Sequence, residues 1–328
     1  MENSQLQEPL AAARFIKVIG RGKDGARSMN RDDARLLYGA MLDGRVSDLE
    51  LGAILLSMRI KGESIDEIAG FLDAAEASFA PLSAPAGAQY APIVIPSYNG
   101  ARHLPNLTPL LALLLARAGA PVLMHGVLQD PGRVTSAEIF AALDMPVAQD
   151  IAEAEAHFLR HQPAFLPITV LAPKMAQLLS LRRILGVRSS THTLVKILQP
   201  FRQPVLRLSS YTHPEYLEML GQYFTTVASP ERGDVFLMRG TEGETVASVK
   251  RAQQIDWFHQ GQRTTLVEKQ LVADASIDVP SERDAETTAL WIRRVLAGEI
   301  AVPAPISEQV EQCLRVARAV RERGGDAC

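Results

Sequence analysis

The spacing of apolar residues changes near residue 90, and this change constrains the fold more than any other feature of the sequence. Before it, apolar residues recur at helical spacing, as Leu51, Leu55 and Met58 do. After it, short apolar runs alternate with longer helical segments. Because strands that alternate with helices build a mainly parallel sheet, the pattern predicts a small helical domain followed by a larger α/β domain with flanking helices.

The domain boundaries follow from caps and composition. Ser47 with Glu50, and Ser64 with Glu67, have the spacing of a capping box and predict the starts of two helices. Residues 80–92 are rich in Pro, Ala and Ser, which is typical of a linker. We therefore predict a helical domain over residues 1–80 and an α/β domain over residues 90–328.

The strands of the second domain are expected to be short buried runs. Strands are predicted at residues 92–96, 121–124, 169–172, 204–208, 224–228 and 235–238. Helices are predicted at residues 107–118, 136–143 and 306–323. Ligands of such sheets bind beyond the carboxyl ends of the strands, so a site is expected in the loops that follow them.

Basic residues are concentrated in one part of the chain. Residues 156–214 contain no Asp or Glu and eight Lys or Arg, which gives this segment a formal charge of +8. The whole chain carries −3, so the remainder carries −3 − 8 = −11. This asymmetry predicts a basic surface that faces an anionic partner. The alternative is that these cations pair with acids distant in sequence.

Several classes of protein are disfavoured. The two cysteines, Cys313 and Cys328, form neither a disulfide framework nor a Cys-rich metal site. The N-terminus lacks a basic segment followed by an apolar one, so no secretion signal is expected. The apolar run at 107–116 is interrupted by Pro109 and is too short to span a bilayer. We expect a cytoplasmic protein without membrane contact.

No catalytic constellation is visible. The seven histidines have no metal-ligand spacing, and there is no G-x-S-x-G nucleophile elbow. The turn Arg239-Gly240-Thr241-Glu242-Gly243-Glu244 follows a predicted strand. Its two carboxylates could hold a metal ion, although carboxylates in a turn are more often solvated. We therefore predict no catalytic residue, no metal ligand and no cofactor.

Residues 51–70 resemble the N-terminal helical motif of anthranilate phosphoribosyltransferase and thymidine phosphorylase. The resemblance rests on the spacing of Gly52, Lys61-Gly62-Glu63 and Glu67, and further similarity follows along nearly the whole chain. It implies the two-domain phosphoribosyltransferase fold of that family. It also implies that a helical segment near residues 173–190 joins the 1–80 domain in space.

The family's phosphate site is altered in this chain. Its glycine loop, GTGGD followed by N-x-S-T, holds the pyrophosphate of phosphoribosyl pyrophosphate, and Pro96-Ser97-Tyr98-Asn99-Gly100 stands in its place. The family's Lys-His-Gly-Asn becomes Met124-His125-Gly126-Val127, so the phosphate-binding lysine is absent. The Asp-Glu pair that binds magnesium is replaced by Glu244-Thr245-Val246. The resemblance leaves a remnant substrate site made of Asn99, Gly100, Asn106, Thr108, His125, Gly126 and Arg182.

These departures resemble the YbiB-type branch of the family, which shares the segment Thr212-His213-Pro214-Glu215-Tyr216 and the 239–244 turn. Members of that branch are homodimers that bind nucleic acid without sequence preference and lack detectable transferase action. The resemblance and the charge asymmetry together predict a sequence-nonspecific DNA- or RNA-binding homodimer, paired through its N-terminal helices. The predicted phosphate contacts are Arg182, Arg183, Arg188, Lys196, Arg202, Arg207, Lys250 and Arg251.

Two alternatives remain open. The first is a transferase of the phosphoribosyltransferase type with an altered phosphate site, an unknown acceptor and magnesium as its cofactor. It is supported by the resemblance in fold, by His125-Gly126 and Asn106, and by Arg182 and Arg188, which match arginines of the family. The second is a sensor of small ligands, for which the sequence offers no specific support.

Overall fold

The computed structural model describes residues 8–22, 24–271 and 279–325. The helices are α1 (Ala13–Ile19), α2 (Arg31–Leu42), α3 (Asp48–Lys61), α4 (Ile65–Glu76), α5 (Thr108–Arg117), α6 (Ser136–Ala142), α7 (Ile151–Leu159), α8 (Ile168–Leu171), α9 (Pro173–Ser180), α10 (Arg182–Leu185), α11 (Thr191–Leu194), α12 (Pro214–Thr226), α13 (Ala285–Leu296) and α14 (Ala304–Gly325), with a 3₁₀ turn at Pro230–Arg232. The strands are β1 (Ile93–Ser97), β2 (Val122–Gly126), β3 (Ala164–Pro167), β4 (Val205–Ser210), β5 (Gly233–Met238), β6 (Arg251–Ala252), β7 (Ile255–His259), β8 (Gln262–Val267) and β9 (Gln270–Leu271).

The chain divides into two compact units, and each is built from two separate stretches of sequence. The first unit contains Met1–Ala80 and Ala172–Leu198. The second contains Pro81–Leu171 and Gln199–Cys328. The stretch that returns to the first unit is longer than the predicted 173–190 segment, and the second unit begins before residue 90.

The first unit is a bundle of helices, and side-chain caps fix the starts of α2, α3 and α4. Both predicted capping boxes are confirmed at the starts of α3 and α4. Gly70 on α4 lets α2 pack closely, because a Cβ at that position would lie 2.2 Å from the Arg31 carbonyl oxygen. The buried Tyr38 hydroxyl shares a hydrogen bond of 3.0 Å with Thr191 Oγ1, which ties α11 to α2.

The second unit is built on a seven-stranded sheet with the order β3-β2-β1-β4-β5-β7-β8. Neighbours from β3 to β5 are parallel, and β7 and β8 are antiparallel. The predicted fold class, a helical domain plus a mainly parallel sheet with flanking helices, is confirmed. From β1, the next strands along the chain, β2 and β3, are added on one side in the sheet, whereas β4 and β5 are added on the other side. The topological switch point therefore lies between β1 and β4.

Two predicted strands are wrong, and the antiparallel strands β7 and β8 were not predicted. Residues 169–172 overlap α8, and the strand is β3, just before it. Residues 224–226 of the second segment form the end of α12. Their β-branched residues continue the helix because one face of α12 is buried against the rest of the unit. The edge strand β8 has four exposed residues at its start, so it lacks the apolar run that would have revealed it, and its partner β7 was missed with it.

Helix α14 holds the segment that follows β5. The side chain of Gln309 is fully buried; its Oε1 accepts from the Ala247 backbone N–H at 2.8 Å, and its Nε2 donates to the Thr245 carbonyl at 2.8 Å. This pair of hydrogen bonds fixes the backbone immediately after the 239–244 turn. Within the described ranges, none of the helices has both the length and the apolar character that a bilayer crossing requires.

Candidate functional site

The loop after β1 directs its backbone N–H groups at a carboxylate of the same chain. Asn99 and Gly100 each donate a backbone N–H to Oε1 of Glu244 at 2.8 Å. Glu244 is only 1% exposed, so its carboxylate is removed from water. Amide hydrogen bonds to an ionised acceptor are among the stronger ones in proteins, and two of them compensate for part of the lost hydration.

A second carboxylate from the same turn binds the continuation of this loop. Oε2 of Glu242 accepts from the backbone N–H groups of Arg102 at 2.8 Å and of Leu104 at 3.2 Å. Oε1 of Glu242 accepts from His103 N–H at 3.0 Å. Five backbone N–H groups between residues 99 and 104 therefore bind two carboxylates. We call this set of amides, from Asn99 to Leu104, the amide cradle.

The backbone of the turn is arranged to present these carboxylates. Gly240, Glu242 and Gly243 have φ angles of +66°, +53° and +90°, and a Cβ on Gly243 would lie 2.4 Å from Asn99 Nδ2. The Gly243 carbonyl accepts from both Asn99 Nδ2 and Ser210 Oγ at 2.7 Å. The two glycines on either side of Glu242 are the signal of a tight turn in the sequence, but nothing in the sequence identifies its partner in the loop after β1.

The residues of the turn do not fit the magnesium ion that the fold family implies. The Glu242 oxygens and Glu244 Oε1 already accept backbone N–H groups, which leaves Glu244 Oε2 as the one carboxylate oxygen of this pair without a hydrogen-bond partner among the described residues. The described residues contain no group of three or more His, Cys, Asp or Glu placed to hold a metal ion. Since Mg²⁺ requires near-octahedral oxygen ligands, this site is poorly suited to it. Glu244 is buried and accepts backbone N–H groups, so it is not a solvated carboxylate of a surface turn.

Asn106 and Thr108 of the remnant site stabilise the start of α5. Asn106 is 2% exposed; its Oδ1 accepts from Thr108 N–H at 3.1 Å, and its Nδ2 donates to Ser136 Oγ at 3.0 Å. Ser136 also shares a hydrogen bond of 2.8 Å with Ser97 Oγ at the end of β1. The amide of Asn106 is thus engaged in joining α5, α6 and β1.

His125 and Gly126 end β2 inside the sheet. The His125 ring is fully buried and Nδ1 shares a 2.8 Å hydrogen bond with the Tyr98 hydroxyl. Burial lowers the pKa of His125 to about 3, so the ring is neutral at physiological pH and offers no positive charge to an anion. Gly126 lies opposite Ser97, and a Cβ on Gly126 would lie 1.9 Å from the Ser97 carbonyl oxygen. Both residues therefore have a clear role in packing.

Four of the predicted nucleic-acid contacts lie in the first unit, and we call Arg182, Arg183, Arg188 and Lys196 the basic cluster. Arg183 is exposed and the other three are half-buried. His192 lies among them: burial, and then the charges of Arg188, Arg182 and Lys196, lower its pKa to about 4. Burial is the larger cause of this lowered pKa, and the three cations of the cluster add to it.

The other four predicted contacts lie in the second unit, and the structure corrects one of them. Arg202 and Lys250 are exposed, while the side chain of Arg251 lies outside the described residues. Arg207 is on β4, only 4% exposed, with its guanidinium 5.8 Å from the centre of the Phe224 ring. All six residues of β4 are buried, so the Arg207 guanidinium does not lie on the surface, and the structure contradicts the prediction of a phosphate contact there.

Helix α3 carries an apolar stripe that faces outward from the first unit. Leu49, Leu56 and Ile60 are 87%, 48% and 71% exposed. Their spacing places them on one side of the helix, with Gly52 and Ala53 between them. On α10, Ile184 is 80% exposed as well. Large apolar side chains grouped in this way are typical of surfaces that bind another protein.

Comparison with known proteins agrees with this architecture. Residues 14–78 match the glycosyl transferase family helical bundle domain. Anthranilate phosphoribosyltransferase from Thermus thermophilus has the same fold, with a TM-score of 0.66 and 20% identity over 93% of each chain. The enzyme of that name from Rhodopseudomonas palustris BisA53 is 26% identical over 309 residues, which cover 89% of this chain and 84% of the relative. The protein therefore has the anthranilate phosphoribosyltransferase fold.

A relative with higher sequence identity shows the family to which the chain belongs among proteins of this fold. The uncharacterized protein YbiB of Escherichia coli K12 is 44% identical over 302 residues, which cover 92% of both chains. The chain therefore belongs to the YbiB family, a divergent family on the anthranilate phosphoribosyltransferase scaffold.

Proposed function

We propose that this protein binds the sugar–phosphate backbone of DNA or RNA, without sequence preference, through the basic cluster of the first unit. The observation that carries the proposal is the grouping of these four basic side chains within residues 182–196 of the first unit, in a stretch without Asp or Glu. A phosphate backbone is the common cellular polyanion that such a surface attracts. The filled amide cradle adds support, because the loop where the fold family binds pyrophosphate is occupied by carboxylates.

The kind of binding follows from the residue types. Arg and Lys contacts to phosphate fix the position of a nucleic acid but do not read its bases, so selectivity for sequence is expected to be weak. Aromatic residues make up only 5% of the chain, which disfavours an extended platform for stacking unpaired bases. Arg202 and Lys250 of the second unit remain predicted contacts.

The proposal is tested by the salt dependence of binding. Fluorescence anisotropy with duplexes and single strands of scrambled sequence should give an affinity that falls steeply between about 50 mM and about 200 mM salt. The four contacts of the basic cluster contribute about −3 to −4 to the log–log slope on duplex DNA, and contacts from Arg202 and Lys250 would make the slope steeper. An affinity that stays unchanged over this range, or no binding at the lower salt, would contradict the proposal.

We also propose that the protein is a homodimer paired through α1 and α3, an arrangement that would double the basic cluster. The exposed Leu49, Leu56 and Ile60 give α3 an apolar face that a second copy would cover. Ile60→Asp would put a charge into that interface, where burial without a partner is costly. Light scattering should give a dimer for the wild type and a monomer for the variant. A wild-type monomer at micromolar concentration is the contrary result.

The second candidate is a transferase of the phosphoribosyltransferase type, and the comparisons favour it through the scaffold. The Rhodopseudomonas relative aligns over most of this chain and is named as such an enzyme. The candidate requires that the wild type bind phosphoribosyl pyrophosphate. Calorimetry with that ligand and magnesium, run beside the nucleic-acid titration, distinguishes the two candidates. Tight binding of phosphoribosyl pyrophosphate together with salt-insensitive nucleic-acid data would favour the transferase.

A further inference from the structure

A cavity of about 700 Å³ lies in the second unit, at the edge of the sheet where the parallel strands begin. The residues that line it precede β1, β2 and β3 or lie near the ends of helices: residues 87–89, 117–119 and 161–163 with Leu113, Met145 and Leu296. We call it the basal cavity. The amide cradle follows β1 and therefore lies at the opposite edge of the sheet, where parallel strands end. The basal cavity is thus separate from the site described above.

The floor of the basal cavity is apolar. Leu113, Met145 and Leu296 are half-buried and pack against the hydrophobic core of the second unit, and Pro163 beside them is buried. Sites for small molecules have volumes of about 300 to 1,000 Å³ and mostly apolar walls, so this cavity has the usual size and lining. An apolar group that enters it leaves water and contacts the core, which favours binding.

Helix α14 holds the wall of the cavity that precedes β1. Arg321 donates from Nη2 to the Ala86 carbonyl at 2.6 Å and from Nε to the Ala88 carbonyl at 3.1 Å. Arg318 Nη2 donates to the Tyr90 hydroxyl at 3.0 Å. Because this segment is fixed at several points, the wall does not have to be ordered when a ligand binds, and the entropic cost of binding is lower.

Arg117 places a positive charge at the rim of the cavity. Its Nη1 donates to the carbonyl of Leu296, the last residue of α13, at 2.6 Å, and this bond holds the guanidinium beside the cavity. A guanidinium has five N–H donors, so others remain for a ligand. Among the described residues, Arg117 has no carboxylate partner, and none of the residues that line the cavity is an Asp or Glu. The rim is completed by the exposed polar side chains of Gln89, His161 and Gln162.

We propose that the basal cavity binds a small organic anion with an apolar body. The body packs on the floor formed by Leu113, Met145 and Leu296, and the anionic group accepts hydrogen bonds from Arg117. A hydrogen bond between a guanidinium and an anion is stronger than one between neutral groups, and here no carboxylate of the lining competes for it. The proposal is independent of nucleic-acid binding, and it gives the alternative of a small-ligand sensor a specific cavity.

Two fluorescent probes with the same rings test the proposal on the full-length protein. Anilinonaphthalene sulfonate carries one negative charge, whereas N-phenylnaphthylamine has the same apolar body without it. The fluorescence of both probes rises when they leave water for an apolar site. We expect saturable binding of the sulfonate by the wild type, with one site per chain.

The charge of the rim is tested by Arg117→Met, which removes the guanidinium and keeps a long side chain. The matched control Arg294→Met removes the same charge from an exposed position of α13 that does not line the cavity. We expect Arg117→Met to weaken binding of the sulfonate about tenfold, as the loss of one charge-assisted contact predicts, and not to weaken binding of the uncharged probe. The control should bind both probes as the wild type does.

The location of the site is tested by Ala118→Trp, which places a large side chain at the exposed rim of the cavity. Ala141→Trp is the matched control, because it adds the same side chain at an exposed position of α6 outside the cavity. Ala118→Trp should abolish binding of both probes, and Ala141→Trp should leave it unchanged. All four positions are exposed, and circular dichroism establishes that each variant is folded.

Three results would overturn the proposal. The first is a wild type without saturable binding of the sulfonate. The second is binding that survives Ala118→Trp, which would assign it to another apolar surface such as the stripe on α3. The third is an Arg117→Met protein in which both probes bind equally weakly or as in the wild type, since Arg117 would then only cap α13. None of these results alters the salt-dependent binding expected for nucleic acid.

Discussion

Replacing Arg182, Arg183 and Lys196 together by Ala is expected to reduce the salt dependence of nucleic-acid binding by about three units of log–log slope. Each of these side chains is assigned one phosphate, and every phosphate that is no longer neutralised reduces by about one the counterions released on binding. If the wild type neutralises four phosphates through this cluster, the variant keeps only the contact of Arg188. Its affinity for duplex DNA should then be close to the weakest that an anisotropy titration can measure. The reduction should be the same for all sequences, because bonds to phosphate do not discriminate bases.

A control of equal charge separates the cluster from net charge. Arg293→Ala/Arg294→Ala/Arg315→Ala removes three exposed cations from α13 and α14 of the second unit. Long-range attraction falls equally in both variants, whereas only the cluster variant lacks direct bonds to phosphate. If both triple variants reduce the slope equally, the basic cluster is not the binding surface. The pKa of His192, followed by NMR, should rise in the cluster variant, because two of the cations that lower it are gone.

Gly126→Ala is expected to destabilise the second unit by about 3 kcal/mol, near the upper end for overpacking. The added Cβ would lie 1.9 Å from the Ser97 carbonyl oxygen, and this oxygen belongs to the backbone of the paired central strand β1. It cannot yield as a flexible side chain would. The denaturant midpoint, measured by circular dichroism in urea, should fall strongly.

Gly221→Ala provides the matched control for this substitution. Gly221 lies within α12 of the same unit, and a Cβ there would first meet the Phe258 ring at an ordinary 3.7 Å. Ala is the better helix former by about 1 kcal/mol, so this variant should be as stable as the wild type or more so. An unchanged denaturant midpoint for Gly126→Ala would contradict the packing role assigned to the His125-Gly126 pair. A role of this pair in ligand binding would then be the better explanation.

The sequence was sufficient for the fold wherever a local signal determined the outcome. Capping boxes at Ser47 and Ser64 fixed two helix starts, and the short apolar runs of β1, β2, β4 and β5 identified the centre of the sheet. Prediction from the sequence failed where contacts with other elements, rather than local signals, determine the secondary structure. Four exposed residues hide the edge strand β8, and the β-branched residues within 224–228 favour a strand although α12 extends to Thr226.

The candidate site was harder to predict, because its two halves are far apart in sequence. The hydrogen bond between Asn99 N–H and Glu244 spans 145 residues. The glycines at 240 and 243 indicate a turn, but no pattern assigns its carboxylates to the amide cradle. Charge counting selects the basic cluster, yet it also selects Arg207, because a count cannot distinguish an exposed arginine from one that lies in a fully buried central strand.

The division of the first unit into two stretches has a consequence for synthesis on the ribosome. Residues 1–80 leave the ribosome well before residues 172–198, which supply buried side chains such as Met175 and Leu194 to the same unit. The hydrogen bond between Tyr38 and Thr191 cannot form until both stretches have emerged. In the interval, the apolar side chains that residues 172–198 cover are without this part of their packing, so we expect the bundle to complete its core only after residue 198 has emerged. A chain that stops before residue 172 never completes the bundle.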